Sequence, residues 1–138
     1  IAAKTGMRCY VLKKRYGARE IVSIVGQCRA MLAMRLHSLI YAANMLVPTV
    51  GLSYDPKVSG FMEYLGLENT VSVETMTQEA LTNQLETVLE NHDAIQMKLQ
   101  ENIALLKEKA EKNAEIAYSL MREADGEPIQ NRKAGQKD

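Results

Sequence analysis

The 138-residue chain predicts an α/β fold: a parallel sheet with flanking helices, followed by one long C-terminal helix. Three observations lead there. Two short apolar runs, Ala30–Met34 and Val47–Leu52, are continuous rather than alternating, the pattern of strands buried on both faces. Each is followed at once by a helical pattern, and strand–helix alternation is the signature of a parallel sheet. Further on, apolar positions from Ile95 to Met121 recur every three to four residues.

The elements follow in order. Residues 1–6 read as a helix end stopped by Gly6, and Met7–Leu12 as a short strand. A basic loop, Lys13-Lys14-Arg15-Tyr16-Gly17, leads into a helix over Ala18–Cys28, with Ile21, Ile24 and Val25 at helical spacing. Ala30–Met34 is a buried strand, and a helix runs from Leu36 to about Met45. Val47–Leu52 is the next strand, with Pro48 near its start, where a missing donor is tolerated. Asp55-Pro56 starts a helix, because Asp caps and Pro at the first helical position loses no needed N–H. That helix places Val58, Phe61, Met62 and Leu65 on one face and stops at Gly66. Thr70–Val73 reads as a further strand. Thr75–Glu90 reads as a helix opened by a Thr75/Gln78 capping box, with Leu81, Leu85, Val88 and Leu89 as its stripe. From Asp93 to Ala124 one amphipathic helix, about 45 Å long at 1.5 Å per residue, carries Ile95, Leu99, Ile103, Leu106, Ala110, Ala114, Ala117 and Met121 inward. Residues 125–138, with Gly126, Pro128 and Gly135 and few apolar residues, read as a disordered tail, leaving 1–124 as the folded domain.

Composition bounds the function. Lys plus Arg and Asp plus Glu are both 17, so no global charge points to nucleic acid or a membrane surface. No run of about 18 apolar residues is present to span a bilayer. Cys9 and Cys28 show no CxxC or Cys/His ligand spacing, which argues against a zinc site. Both read as small buried hydrophobes in a reducing compartment, with a disulfide between them left open. The eight methionines read as core filler rather than a metal site. A chain that begins at Ile1, inside a helix-like fragment, reads as cut from something longer.

The chemistry concentrates at two places. Met34-Arg35-Leu36-His37-Ser38-Leu39-Ile40 sets a guanidinium and an imidazole in an apolar run, which is costly unless each is paired, solvated or used. Ser53-Tyr54-Asp55-Pro56-Lys57 ends the second apolar run. Both stand at the carboxyl end of a predicted parallel strand and the amino end of the next helix, where α/β proteins bind ligands. Free N–H groups and the positive dipole end favour phosphate or carboxylate there. Arg35 offers a bidentate grip and Lys57 a point charge, so the expected ligand is a small polyanion. Plainer readings stand beside these. Arg35 and His37 can be structural, Asp55 a helix cap rather than an acid, Tyr54 a packing residue and Lys57 a solvated lysine. His92 reads as a surface residue near a helix cap, and the basic loop as solvated or as a secondary contact for a polyanion.

The segments Met34-Arg35-Leu36-His37-Ser38-Leu39-Ile40-Tyr41-Ala42-Ala43, Val47-Pro48 and Gly51-Leu52-Ser53-Tyr54-Asp55-Pro56-Lys57-Val58 resemble the C-terminal half of polysaccharide pyruvyl transferases. The flanking Glu20–Cys28 and Gly60–Gly66 segments fit as well. Within that family the likeness is to bacterial enzymes that pyruvylate cell-wall polysaccharide for surface-layer anchoring. The resemblance implies the Rossmann-like C-terminal domain of a glycosyltransferase-B-type fold, with the N-terminal half absent and the isolated chain inactive. It implies phosphoenolpyruvate as donor, a polysaccharide or lipid-linked sugar as acceptor and a ketal as product. No further cofactor is implied. The donor's methylene must be protonated while two hydroxyls add and phosphate leaves, so His37 is expected as general acid/base and Arg35 as donor anchor. Ser53, Tyr54 and Lys57 are expected to complete the anion or sugar contacts. A cytoplasmic donor places the reaction in the cytoplasm or at the inner membrane face. Removal of the other half exposes one side of a cleft, through which homo-oligomers could form. Two rivals are the donor-binding domain of a nucleotide-sugar glycosyltransferase and a non-enzymatic helical interaction module built on residues 93–124.

Overall fold

The computed structural model describes residues 8–124. Its helices are α1 (Ala18–Val25), α2 (Leu36–Asn44), α3 (Pro56–Tyr64), α4 (Gln78–Glu90) and α5 (His92–Ala124). Its strands are β1 (Met31–Ala33), β2 (Thr49–Ser53) and β3 (Thr70–Ser72), parallel and in the order β1-β2-β3. The α/β expectation therefore holds, with a three-stranded parallel sheet, flanking helices and a long final helix. The register Ser53↔Ser72 aligns the carboxyl ends of β2 and β3, while Ala33↔Gly51 ends β1 two residues short of the end of β2.

β2 is the centre of the molecule. Thr49 and Gly51 point to one face of the sheet and Val50 to the other, and all three are buried, so helices cover both faces of this strand. A Cβ on Gly51 would stand 3.1 Å from Met62 Cγ and 3.6 Å from Val58 Cγ1, so the missing side chain lets α3 lie close against β2. The main core joins Leu39 and Ala43 of α2, Val50 of β2, Val58 and Met62 of α3, Val88 of α4, and Ile95 and Leu99 of α5.

Two helices end in the same way. Leu67 N–H donates to Met62 O and Gly66 N–H to Glu63 O, both in bonds under 3 Å, with Gly66 at φ 65°: a Schellman ending. At the end of α2, Val47 N–H reaches Ala42 O and Leu46 N–H reaches Ala43 O, but the left-handed residue is Leu46, at φ 56°. α5 secures both turns with side-chain amides: Gln96 Nε2 donates to Leu46 O and Asn102 Nδ2 to Leu65 O. Gly66→Ala is therefore expected to destabilise the protein by about 1–2 kcal/mol from the left-handed conformation alone. Its Cβ would also stand 2.9 Å from Asn102 Nδ2 and displace that clamp. Thermal unfolding beside wild type checks this; an unchanged midpoint would refute it.

Four expectations are corrected. Arg8–Leu12 forms no strand: Tyr10, Val11 and Leu12 are exposed, and no strand among the described residues lies beside them to complete a ladder. Met7 and residues 1–6 and 125–138 lie outside the described residues. Cys9 and Cys28 are exposed free thiols, not buried ones, because Cys9 belongs to that unpaired segment and Cys28 to the turn after α1. α4 is opened by Thr77, whose side chain accepts from Ala80 N–H, rather than by Thr75. Finally, the α5 stripe is buried only as far as Leu106; Ala110, Ala114, Ala117 and Met121 are exposed.

Candidate functional site

The apparent cost of Arg35 and His37 disappears once β1 is seen to end at Ala33. The chain leaves the sheet there, and Arg35 becomes the N-cap of α2 in an extended conformation, its carbonyl accepting from Ser38 and Leu39 N–H. Leu39, Ala42 and Ala43 anchor the helix in the core, while Arg35 and His37 stay exposed on its first turn. Neither side chain has a hydrogen bond or ion pair among the described residues. Arg35 thus does not cap the carbonyls of another described helix.

The second motif is built differently. β2 runs to Ser53, whose carbonyl accepts from Val73 N–H at 2.9 Å. Asp55 is the N-cap of α3, and its Oδ1 accepts from Lys57 N–H at 2.9 Å, with Pro56 at the first helical position. The cap reading of Asp55 is thereby borne out. Lys57 Nζ then folds back to 3.2 Å from Asp55 Oδ2 and lies 5.5 Å from the centroid of the Tyr54 ring. The Lys57 N–H first, and its ammonium second, hold the Asp55 carboxyl below the usual carboxylate range. In return the Asp55 carboxylate holds the Lys57 ammonium above its ordinary value. Tyr54 is half exposed at this edge. The Ser53 hydroxyl lies 3.4 Å from Asp55 O, a long contact.

Counting on from the Ala33↔Gly51 pair brings the start of α2 level with the end of β2. The structure therefore places Arg35, His37, Ser53, Tyr54 and Lys57 at one edge of the sheet, the carboxyl edge of two adjacent parallel strands. It does not give them equal freedom. Arg35 and His37 are unpartnered among the described residues, while Lys57 is engaged by Asp55. Sequence reasoning missed this internal pairing, although an acidic N-cap two residues before a lysine was the available signal. A groove lined by Gly66, Glu68, Asn69, Thr87, Asn91 and Lys98 lies at the amino end of β3, on the opposite edge from the two motifs. His92 pairs its Nδ1 with Asp93 Oδ1 at the start of α5, at neither place. Among the described residues no three His, Cys, Asp or Glu side chains gather as metal ligands, and no helix is long and apolar enough to cross a membrane.

Residues 3–56 match the model of a family described as polysaccharide pyruvyl transferase. The match contains Arg35, His37, Ser53 and Tyr54 and ends one residue before Lys57. The amylovoran biosynthesis protein AmsJ of Erwinia amylovora is 27% identical over 90 residues, covering 64% of this chain and 22% of AmsJ. The chain thus spans about a fifth of the length of that curated relative. No solved structure matches significantly.

Proposed function

We propose, from this chain's relation to the polysaccharide pyruvyl transferases, that it forms the donor-binding part of an enzyme that moves pyruvyl from phosphoenolpyruvate onto a polysaccharide sugar as a ketal. The observation that carries the reading is the unpartnered Arg35 and His37 at the carboxyl edge of two parallel strands. A guanidinium left without a carboxylate of its own supplies two parallel N–H donors for the donor's carboxylate or phosphate. The α2 amino terminus adds backbone N–H groups and a favourable dipole for the same anion.

In this mechanism His37 protonates the methylene carbon of the enol phosphate, which becomes the methyl group. One sugar hydroxyl bonds to the electrophilic carbon and returns its proton to His37. Phosphate then departs with the electron pair of its C–O bond, and the second hydroxyl adds to the resulting oxocarbenium to close the ketal, its proton passing to the departing phosphate. Arg35 holds the anion through these steps. The fold that completes the cleft resembles the glycosyltransferase-B arrangement, with a further domain facing this edge and contributing to acceptor binding. The reaction belongs to the cytoplasmic side, where the donor is made.

Titration calorimetry of phosphoenolpyruvate into the chain tests the reading, with uridine diphosphate as control. Saturable binding is expected, weakened about tenfold or more in Arg35→Ala, the scale of a charge-assisted hydrogen-bonded pair. Binding of the nucleotide alone would replace pyruvyl transfer by glycosyl transfer. Equal binding by wild type and variant would remove Arg35 from the donor site.

A further inference from the structure

We infer that Tyr54 is the saccharide platform of this edge, and that Lys57 positions its ring rather than gripping the donor; the inference rests on the pyruvyl transfer reading for the identity of the acceptor. The sequence allows Lys57 and Arg35 the same task, since both are cations at helix starts. The structure separates them. Lys57 Nζ is 3.2 Å from Asp55 Oδ2 and 5.5 Å from the Tyr54 centroid, so its charge is balanced inside its own turn. A polyanion approaching Ser53–Lys57 meets a carboxylate as close as the ammonium. Arg35 and His37, at the end of the neighbouring strand, have no carboxylate against them among the described residues. Anion binding therefore belongs to the β1 end of the edge.

The β2 end has what a sugar needs instead. Tyr54 is half exposed, an aromatic ring held at the edge of the sheet and not in the core. Its backbone is fixed on both sides, by the β2–β3 ladder ending at Ser53 and by the Asp55-capped start of α3. Lys57 adds a cation–π contact to the ring, its Nζ 5.5 Å from the centroid. Pyranose rings present a patch of C–H groups on one face and hydroxyls around the rim. An aromatic face takes the first, and the Lys57 ammonium, 5.5 Å from the ring centroid, can donate to the second. A ketal-forming reaction needs a polyanionic donor touching a neutral diol. A cationic strand end beside an aromatic one provides that pair of neighbouring subsites.

The test is an NMR titration of the 138-residue chain with the methyl glycosides of glucose, mannose and galactose in turn and, separately, phosphoenolpyruvate. The Tyr54 ring signals are identified by their loss in Tyr54→Phe. Saturation transfer to the sugar from the Tyr54 ring is expected. Tyr54→Ala should weaken sugar binding about tenfold, and Tyr54→Phe should keep it. Lys57→Met should weaken it less and shift the ring signals as the ammonium is lost from beside the ring. Phosphoenolpyruvate should shift the amides of Arg35–His37 and leave the Tyr54 ring unmoved. Donor binding with no sugar contact at Tyr54 would overturn the platform while leaving pyruvyl transfer standing. Sugar contact at Tyr54 without donor binding at Arg35–His37 would keep the platform and sink the pyruvyl reading. Phosphoenolpyruvate shifting the Tyr54 ring, or a folded chain that binds no saccharide, would refute the division of the edge.

Discussion

Leu99→Ala is expected to destabilise the chain by about 2–5 kcal/mol, the range for truncating a fully buried leucine. Leu99 is 1% exposed and projects from α5 between Leu39 and Ala43 of α2, Met62 of α3 and Leu65 at its C-cap. The space among these side chains has no room for a water, so the deletion leaves a void whose walls are held by α2, α3 and β2. Partial collapse is the only relief, and the neighbours are themselves pinned by the sheet. Denaturant unfolding followed by circular dichroism measures the loss. Leu120→Ala, also on α5 but 58% exposed, should stay within about 0.5 kcal/mol of wild type, as surface substitutions do. Equal effects of the two would mean that α5 does not dock at Leu99.

On the proposed pyruvyl transfer reading, His37→Ala placed in the full-length enzyme is expected to lower transfer by about 10²–10⁴-fold, the contribution of a positioned general acid. Donor affinity should change little, because the proposed anion grip is at Arg35. The fold should be indifferent as well: the imidazole is exposed and has no partner among the described residues. Phosphate released from phosphoenolpyruvate in the presence of an acceptor oligosaccharide follows the rate. A variant that keeps the wild-type rate would assign the proton to another group. One that loses rate only through donor affinity would make His37 a second anchor, so the two parameters must be measured separately.

Much of the sheet and both polar motifs could be read from residues 18–73, because the determinants there are local. Asp55-Pro56 specifies a helix start by its own chemistry, and Gly66 a stop by its own backbone. The apolar runs before Arg35 and Tyr54 locate strands whose carboxyl ends then fix the edge. The misreadings have a common physical origin, which is that the deciding partner was elsewhere. Arg8–Leu12 has the composition of a strand, but a strand exists only beside another, and none lies there among the described residues. Lys57 looks like a free cation until the Asp55 cap is seen to reach both its N–H and its ammonium. Thr75 and Thr77 both precede α4, and only the geometry of the turn after β3 selects Thr77. Leu46 shows the reverse case, a leucine in a left-handed turn that no local rule favours, held there by core packing and by the Gln96 amide.

The burial boundary at Leu106 divides α5 into two regimes of cooperativity. Its inner part, from His92 to Leu106, cannot unwind without releasing Ile95 and Leu99 from the core and the amides of Gln96 and Asn102 from the turns they clamp. That part belongs to the global unfolding unit. The outer 18 residues, 107–124, have local contacts such as the Lys112–Glu108 ion pair at 2.7 Å. A helix of about 15 residues is marginal in water when it must nucleate alone. Here the docked inner turns serve as a standing nucleus, so the outer segment escapes the initiation penalty and has only to propagate. Unzipping therefore starts at the distal end and proceeds inward at low cost per residue until it meets Leu106. There it stops, because the next turn can open only with the whole domain.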